Sequence, residues 1–212
     1  PDAVAQGIAA AGEAMYVAAG PAGVAVVDVT DPRTPRLVRT LPAPEGASVL
    51  SVAAFWPWLA AGTDSGVLVY DAASAHAPRL VGAHAGQYQA RALAFPALER
   101  LFVAADVDGL LALDLENPAH PILRADWRPG FAVSDVAVDR RAWAPGRGGP
   151  VYAAAAGLAL LVDRSSGPSP SPTTSATASP TGEASPTSTA TPGTGPNRAY
   201  VPLFVVAAAR TP

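Results

Sequence analysis

Apolar runs of four to six residues, rich in Ala, Val and Leu, recur along residues 3 to 164, and Gly, Pro, Asp or Asn separate them. Runs of that length and composition predict β-strands, because helices of a packed domain need longer periodic stretches. The stretch GVAVVDVTDPRTPRLV at 23 to 38 places four valines around Asp28, then Pro32 and Pro35, then Leu-Val. The order has a physical reading. The valines form an inner strand of a sheet, and Asp28 ends it because a short carboxylate accepts hydrogen bonds from the next backbone amides. Pro32 fixes φ in the turn, and Pro35 opens an outer strand where a missing amide donor does least harm.

The same order returns. GVLVYDAASAHAPRLV occupies 66 to 81 and GLLALDLENPAHPIL occupies 109 to 123. Gly23, Gly66 and Gly109 are 43 residues apart, as are Asp28, Asp71 and Asp114, and each Asp precedes Pro35, Pro78 or Pro121 by seven. A degraded fourth copy, GLALLVDRS, runs from Gly157 to Ser165. Upstream of each Gly lies a second shared run: MYVAAG (15 to 20), WLAAG (58 to 62), LFVAAD (101 to 106) and VYAAAAG (151 to 157). A third precedes it: GIAAA (7 to 11), LSVAAF (50 to 55), RALAF (91 to 95) and SDVAV (134 to 138). In the fourth unit the insertion APGRGGP (144 to 150) lengthens a turn, where a surface loop tolerates added residues.

Each unit therefore predicts four short strands within about 43 residues, the period of a propeller blade. Runs such as VAVVDV are apolar on both faces, as a strand needs when neighbouring sheets cover it front and back. Small residues in VAAG and LAAG let adjacent blades approach closely near the axis. The expected fold is all-β, a propeller-like array of about four four-stranded blades in units near 3–43, 44–86, 87–129 and 130–164. Four units, the last stopping before its outer strand, predict an open arc or a fragment of a larger ring.

These motifs resemble the LVIVD-repeat family of bacterial proteins, named for a strand reading Leu-Val-Ile-Val-Asp. The corresponding strings are Val24 to Asp28, Val67 to Asp71 and Leu110 to Asp114, and the Asp-Pro-x-x-Pro continuation is intact at Asp31 to Pro35. The resemblance spans residues 3 to 164. It implies a β-propeller on an extracytoplasmic, surface-associated protein, and it brings no catalytic residues to carry over.

Residues 165–196 change character: 16 of these 32 residues are Ser or Thr and 7 are Pro. Such a tract cannot bury enough surface to fold, and predicts a disordered linker or stalk. The segment 197–212 ends in NRAYVPLFVVAAARTP, whose ten apolar residues from Tyr200 are half the length of a membrane span. It reads chiefly as a sorting or anchoring tail for attachment to a cell envelope, and alternatively as the outer strand that the fourth unit lacks.

Composition narrows the chemistry. With no Cys there is no disulfide frame, thiolate metal site or cysteine nucleophile. All 14 basic residues are Arg, and a net charge of −3 without a basic stripe argues against nucleic acid as a partner. No apolar run reaches the ~20 residues of a membrane-spanning helix. No charged region followed by an apolar run marks a signal peptide at the N-terminus. The chain starts at Pro1 and its single Met is Met15, so it reads as a processed form or a piece of a longer protein.

His76, His84 and His120 fall in separate turns and read as exposed turn residues rather than metal ligands. DVDG at 106 to 109 has two carboxylates beside a Gly but lacks the remaining ligands of a calcium loop, and it aligns with the hairpin turns TDSG and PAG. Trp56 and Trp58 flank Pro57 on a turn, while Trp127 and Trp143 lie near others, either covering blade edges or available to sugars or a partner. No catalytic, cofactor or metal site is expected. The leading expectation is a noncatalytic, surface-displayed binding protein for a protein or glycan ligand, extracellular or on the cell surface. The alternatives are a propeller hydrolase or lyase with its site in missing blades, and a spacer of a larger exoprotein.

Overall fold

The computed structural model describes residues 4–143 and 148–155 in full, and the backbone of two further strands, Leu158–Asp163 and Phe204–Ala207. Four antiparallel four-stranded sheets follow one another along the chain. The first is β1 (Gly7–Ala11), β2 (Ala14–Ala18), β3 (Val24–Asp28) and β4 (Arg36–Leu41). The second is β5 (Val49–Phe55), β6 (Trp58–Thr63), β7 (Gly66–Asp71) and β8 (Arg79–Ala85). The third is β9 (Ala92–Ala97), β10 (Arg100–Ala104), β11 (Leu110–Asp114) and β12 (Ile122–Trp127). The fourth is β13 (Asp135–Val138), β14 (Gly149–Ala154), β15 (Leu158–Asp163) and β16 (Phe204–Ala207).

Gly23, Gly66 and Gly109 stand at matching places in separate sheets, as the 43-residue period requires. The first strands of the four sheets lie side by side, β1 against β5, β5 against β9 and β9 against β13, while no comparably broad contact joins β13 to β1. The result is a β-propeller-like arc. Phe204–Ala207 pairs antiparallel with β15, Val162 opposite Phe204 and Ala159 opposite Ala207, and is the outer strand of the fourth sheet. Residues 165–196, expected to be a disordered stalk, lie outside the described residues.

The cross-strand register explains how the core is divided. Tyr16 lies opposite Val26 and Ala18 opposite Val24, so these side chains share one face, while Met15, Val27, Val17 and Ala25 share the other. The first face is fully buried and packs on Leu59, Ala61, Leu68 and Tyr70 of the second sheet. The second sheet's opposite face, Ala60, Val67 and Val69, packs on Leu101, Val103, Leu111 and Leu113 of the third. The third sheet's opposite face, with Phe102, Ala104, Leu110 and Ala112, packs on Val136, Val151 and Ala153 of the fourth. Every blade thus has a forward face and a backward face, and each internal interface joins one of each. Full burial of a side chain such as Phe95, Leu101 or Leu113 stabilises the array by about 1.5–3 kcal/mol apiece.

Main-chain bonds tie the interfaces together at the same place in each repeat. Gly20 and Val49 exchange N–H···O bonds of 3.1 and 2.9 Å, the Ala90 N–H donates to the Thr63 carbonyl at 2.8 Å, and Asp106 and Val133 exchange bonds of 3.1 and 2.8 Å. Residues 20, 63 and 106 are again 43 apart. Hydroxyls add to this: Tyr16 OH donates to the Ala75 carbonyl (2.8 Å) and Ser51 Oγ to the Ala90 carbonyl (2.7 Å), both across sheets.

The repeat Asp residues do what their position after the valines suggests. Asp28 Oδ1 accepts from Thr30 N–H (2.9 Å) and Thr30 Oγ1 (2.6 Å), Asp71 from Ala73 N–H (2.9 Å) and Asp114 from Glu116 N–H (2.7 Å). The Thr30 bonds hold Asp28 below its ordinary carboxylate range. Burial works against the Asp114 carboxylate, but the Glu116 N–H and the Arg124 guanidinium outweigh it and lower its pKa as well. In the first three blades the outer strand carries a register shift opposite Val26/Val27, Val69/Tyr70 and Ala112/Leu113, again one period apart, which bends the edge strand. Arg36, Arg39, Arg79 and Arg124 on these edges discourage edge-to-edge pairing.

The repeat glycines are fixed by contact as well as by φ. Gly66 has φ +129°, and a Cβ there would overlap the His84 carbonyl oxygen; Gly23 (φ +99°) meets the Leu41 carbonyl and Gly109 (φ +86°) that of Trp127 in the same way. Gly12 (φ +59°) has nothing within 4 Å of such a Cβ. Gly66→Ala is therefore expected to cost about 3 kcal/mol and Gly12→Ala about 1 kcal/mol. Urea unfolding of the two variants checks this, and equal losses would contradict the assignment.

Candidate functional site

At the end of the arc where these main-chain ties lie, the turns between the second and third sheets leave a cleft of about 410 Å³. Its walls are the β6–β7 turn (Asp64, Ser65), the β8–β9 link (residues 86–89) and the β10–β11 turn (Ala105 to Asp108). The link GQYQA, residues 86 to 90, is extended enough to alternate. Tyr88 and Ala90 are buried in the core between the sheets, and Gln87 and Gln89 point to solvent. Two primary amides thus stand at the rim of a cleft whose base is a tyrosine ring. A Cβ at Gly86 would overlap that ring, so Gly86 lets the link fold down over Tyr88.

Tyr88 OH and His84 Nδ1 are 2.8 Å apart, and the rings are 5.9 Å apart between centroids. Burial raises the Tyr88 phenol's pKa far above its ordinary value of 10.0 and lowers that of the His84 imidazole below 6.5. At neutral pH this pair is an uncharged hydrogen-bonded unit holding the link in place.

The carboxylates of the rim are individually occupied. Asp64 Oδ1 accepts from the Ser48 N–H (3.2 Å), Asp106 pairs with Arg91 (3.3 Å) and Asp108 with Arg128 (3.2 Å). Asp106 has φ +54°, the left-handed conformation that a hairpin turn needs, so DVDG is the turn expected from the repeat alignment. Among the described residues no group of three or more His, Asp or Glu is placed to hold a metal ion.

The structure keeps the three histidines apart. His76 lies in the β7–β8 turn, 3.4 Å from Asp28 of the first sheet. His84 is on β8, and His120 is 3.4 Å from Asn117 in the β11–β12 turn. The tryptophans divide: Trp58 packs against the core, Trp127 and Trp143 meet Phe131 and Phe102 edge-on, and Trp56 is 69% exposed on the β5–β6 turn at the opposite end. Near Trp56, Arg140 crosses three sheets. Its Nε donates to the Phe95 carbonyl (2.8 Å), Nη2 to that of Ala54 (3.5 Å), and the guanidinium sits 4.6 Å from the Phe55 ring centroid.

Sequence reading did not single out Gln87, Tyr88, Gln89 or Arg140. The Gln-Tyr-Gln alternation between two strands was the available signal for the first three. Arg140 carries none, since its partners are main-chain carbonyls.

Two stretches of the chain, residues 3–41 and 101–128, match the model of the LVIVD repeat. The matched stretches hold the first blade and most of the third, including the strands that end at Asp28 and Asp114. No curated protein matches the chain in sequence. Several solved structures share its fold. Sqt1 of Saccharomyces cerevisiae is similar at 12% identity with a TM-score of 0.63, over 76% of this chain and 45% of that one. The computationally designed Ika4 protein is similar at 14% identity with a TM-score of 0.57, over 74% of this chain and 88% of that one. The computationally designed Ika8 protein is similar at 14% identity with a TM-score of 0.54, over 76% and 46%. The chain thus spans nearly all of Ika4 and less than half of Sqt1 and Ika8.

The His84–Tyr88 pair sets a pH dependence. A His whose folded pKa lies below its unfolded value stabilises the fold fully above 6.5, and that contribution is lost as pH falls through the range below. Urea midpoints measured at about pH 7.5 and about pH 5.5 are expected to drop more steeply in the natural protein than in His84→Gln. Parallel curves would show that the imidazole is not held neutral by burial.

Proposed function

We propose that this LVIVD-repeat protein is a noncatalytic binding protein, extracellular or displayed on the cell surface, that holds a glycan in the cleft between its second and third blades. The lining carries the proposal. Gln87 and Gln89 each offer an amide donor and acceptor at the rim, Asp64, Asp106 and Asp108 add acceptor oxygens, and Tyr88 floors the cleft. Amides and carboxylates around an aromatic base suit the hydroxyls and apolar C–H faces of a sugar. The rim carboxylates are engaged, Asp64 by the Ser48 N–H, Asp106 by Arg91 and Asp108 by Arg128, and the His84 imidazole is bonded to Tyr88, which favours holding a ligand over turning it over. The Ser/Thr/Pro-rich residues 165–196 support display, as a spacer of that composition holds a folded head away from its attachment.

The 212-residue chain is expected to be retained on insoluble cell-wall or polysaccharide material without releasing soluble sugar. The double variant Gln87→Ala/Gln89→Ala is expected to lower retention on the order of tenfold at unchanged thermal stability. Retention on none of these materials, or retention indifferent to both amides, would reject the glycan cleft; release of reducing ends would reject the noncatalytic reading.

A further inference from the structure

The two ends of the arc expose the faces that its internal interfaces bury. On the first blade, Met15, Val17, Ala25 and Val27 stand where Leu59, Ala61, Leu68 and Tyr70 stand on the second, and where Leu101, Val103, Leu111 and Leu113 stand on the third. In the second and third blades these residues are buried backward-face core. In the first they are only half-buried, and their row continues to Ile8, 63% exposed, and Leu37, 66% exposed. On the fourth blade, Tyr152 and Ala154 hold the positions of Tyr16 and Ala18 on the first and of Phe102 and Ala104 on the third. Tyr16 is fully buried and Tyr152 is 38% exposed. Ala137, opposite Tyr152, is exposed with it.

Among the described residues, one end therefore presents a backward face with no forward face against it, and the other a forward face with no backward face. Such halves are complementary by construction, because three copies of the same contact already exist within the chain. Within one arc no contact as broad as those between successive first strands joins β13 to β1. After β15 the sequence is rich in Ser, Thr and Pro, and Phe204–Ala207 forms the outer strand of the fourth sheet. An array of this size is nearly all of one solved chain of this fold and less than half of two others, which contain about twice as much structure.

We infer that two copies of this chain join head to tail, the forward face around Tyr152 of each against the backward face around Ile8 and Val17 of the other, to close a ring of eight sheets. The contact is heterologous, so a single pair leaves one of each face open, and only closure by a second identical contact satisfies all four. It extends the stacking already present between blades, and it is independent of the ligand in the cleft.

Sedimentation velocity on the full 212-residue chain decides it. The natural protein is expected to reach twice its 21.3 kDa mass at micromolar concentration. Ile8→Arg and Tyr152→Arg, each an exposed position, are expected to retain the far-UV spectrum and melting point but to weaken the dimer on the order of tenfold or more. Mixing the two variants regenerates one contact in which both faces are natural, so the mixture is expected to dimerise more strongly than either variant alone. A monomer at all concentrations would overturn the inference, leaving these faces to further repeats or a different protein. A dimer indifferent to both substitutions, or variants that do not complement, would overturn the head-to-tail arrangement.

Discussion

Burial of both faces of every sheet is the constraint on which this molecule depends. A strand such as Val67 to Tyr70 is apolar on its two sides and is covered on both. A single sheet of that composition would leave half its side chains in water, at a loss of about 25 cal/mol for each Å² of apolar surface. Repetition solves this, since the face turned away from one neighbour is covered by the next. The period of 43 residues is the length of chain needed to lay down four strands and return to the axis.

Coverage alone would permit sheets to slide against each other. Register between blades is set by directional contacts at a fixed place: the main-chain ties at Gly20, Thr63 and Asp106, and the hydroxyl bonds of Tyr16 and Ser51. At the other end Arg140 binds carbonyls of two inner strands while lying over Phe55. Burial disfavours its charge, lowering its pKa. Carbonyls and a ring face offset that cost without a carboxylate. The apolar layers supply most of the free energy, and these polar contacts select one alignment of blades.

Much of this was legible in the sequence because the determinants are local and repeated. Asp28, Asp71 and Asp114 announce the turn by their spacing, and Gly23, Gly66 and Gly109 announce the positive φ and close approach of the hairpin. The alternation of faces was less so. The second blade joins Thr63 to Gly66 by a two-residue turn while the first and third use longer ones, which shifts β6 by one residue relative to the Gly alignment. Leu59 thus takes the place of Met15 and not of Tyr16, an exchange of faces that spacing cannot reveal. The strand from Phe204 to Ala207 returns across some 40 residues of sequence, and its pairing depends on a vacancy at β15 that only the assembled sheet defines. The cleft was hidden for a related reason: Gln87 and Gln89 acquire a role from the turns of two different blades meeting beside them.

The division of labour between strands and links follows from the same constraint. Residues facing a neighbouring blade are held by volume on both sides, so a change there disturbs two sheets. The links at the end bearing the cleft contribute one or two buried anchors, Tyr88 in one case and Val133 in the next, and otherwise face water. Between anchors their side chains are unconstrained by packing, which is where a repeat array accommodates recognition chemistry. The link 86–91 fits that pattern: Tyr88 and Ala90 bind it to the core, and the two glutamines between and beside them are left to meet whatever enters the cleft. Its specificity would therefore be altered by exchanging exposed link residues while leaving the 43-residue frame intact.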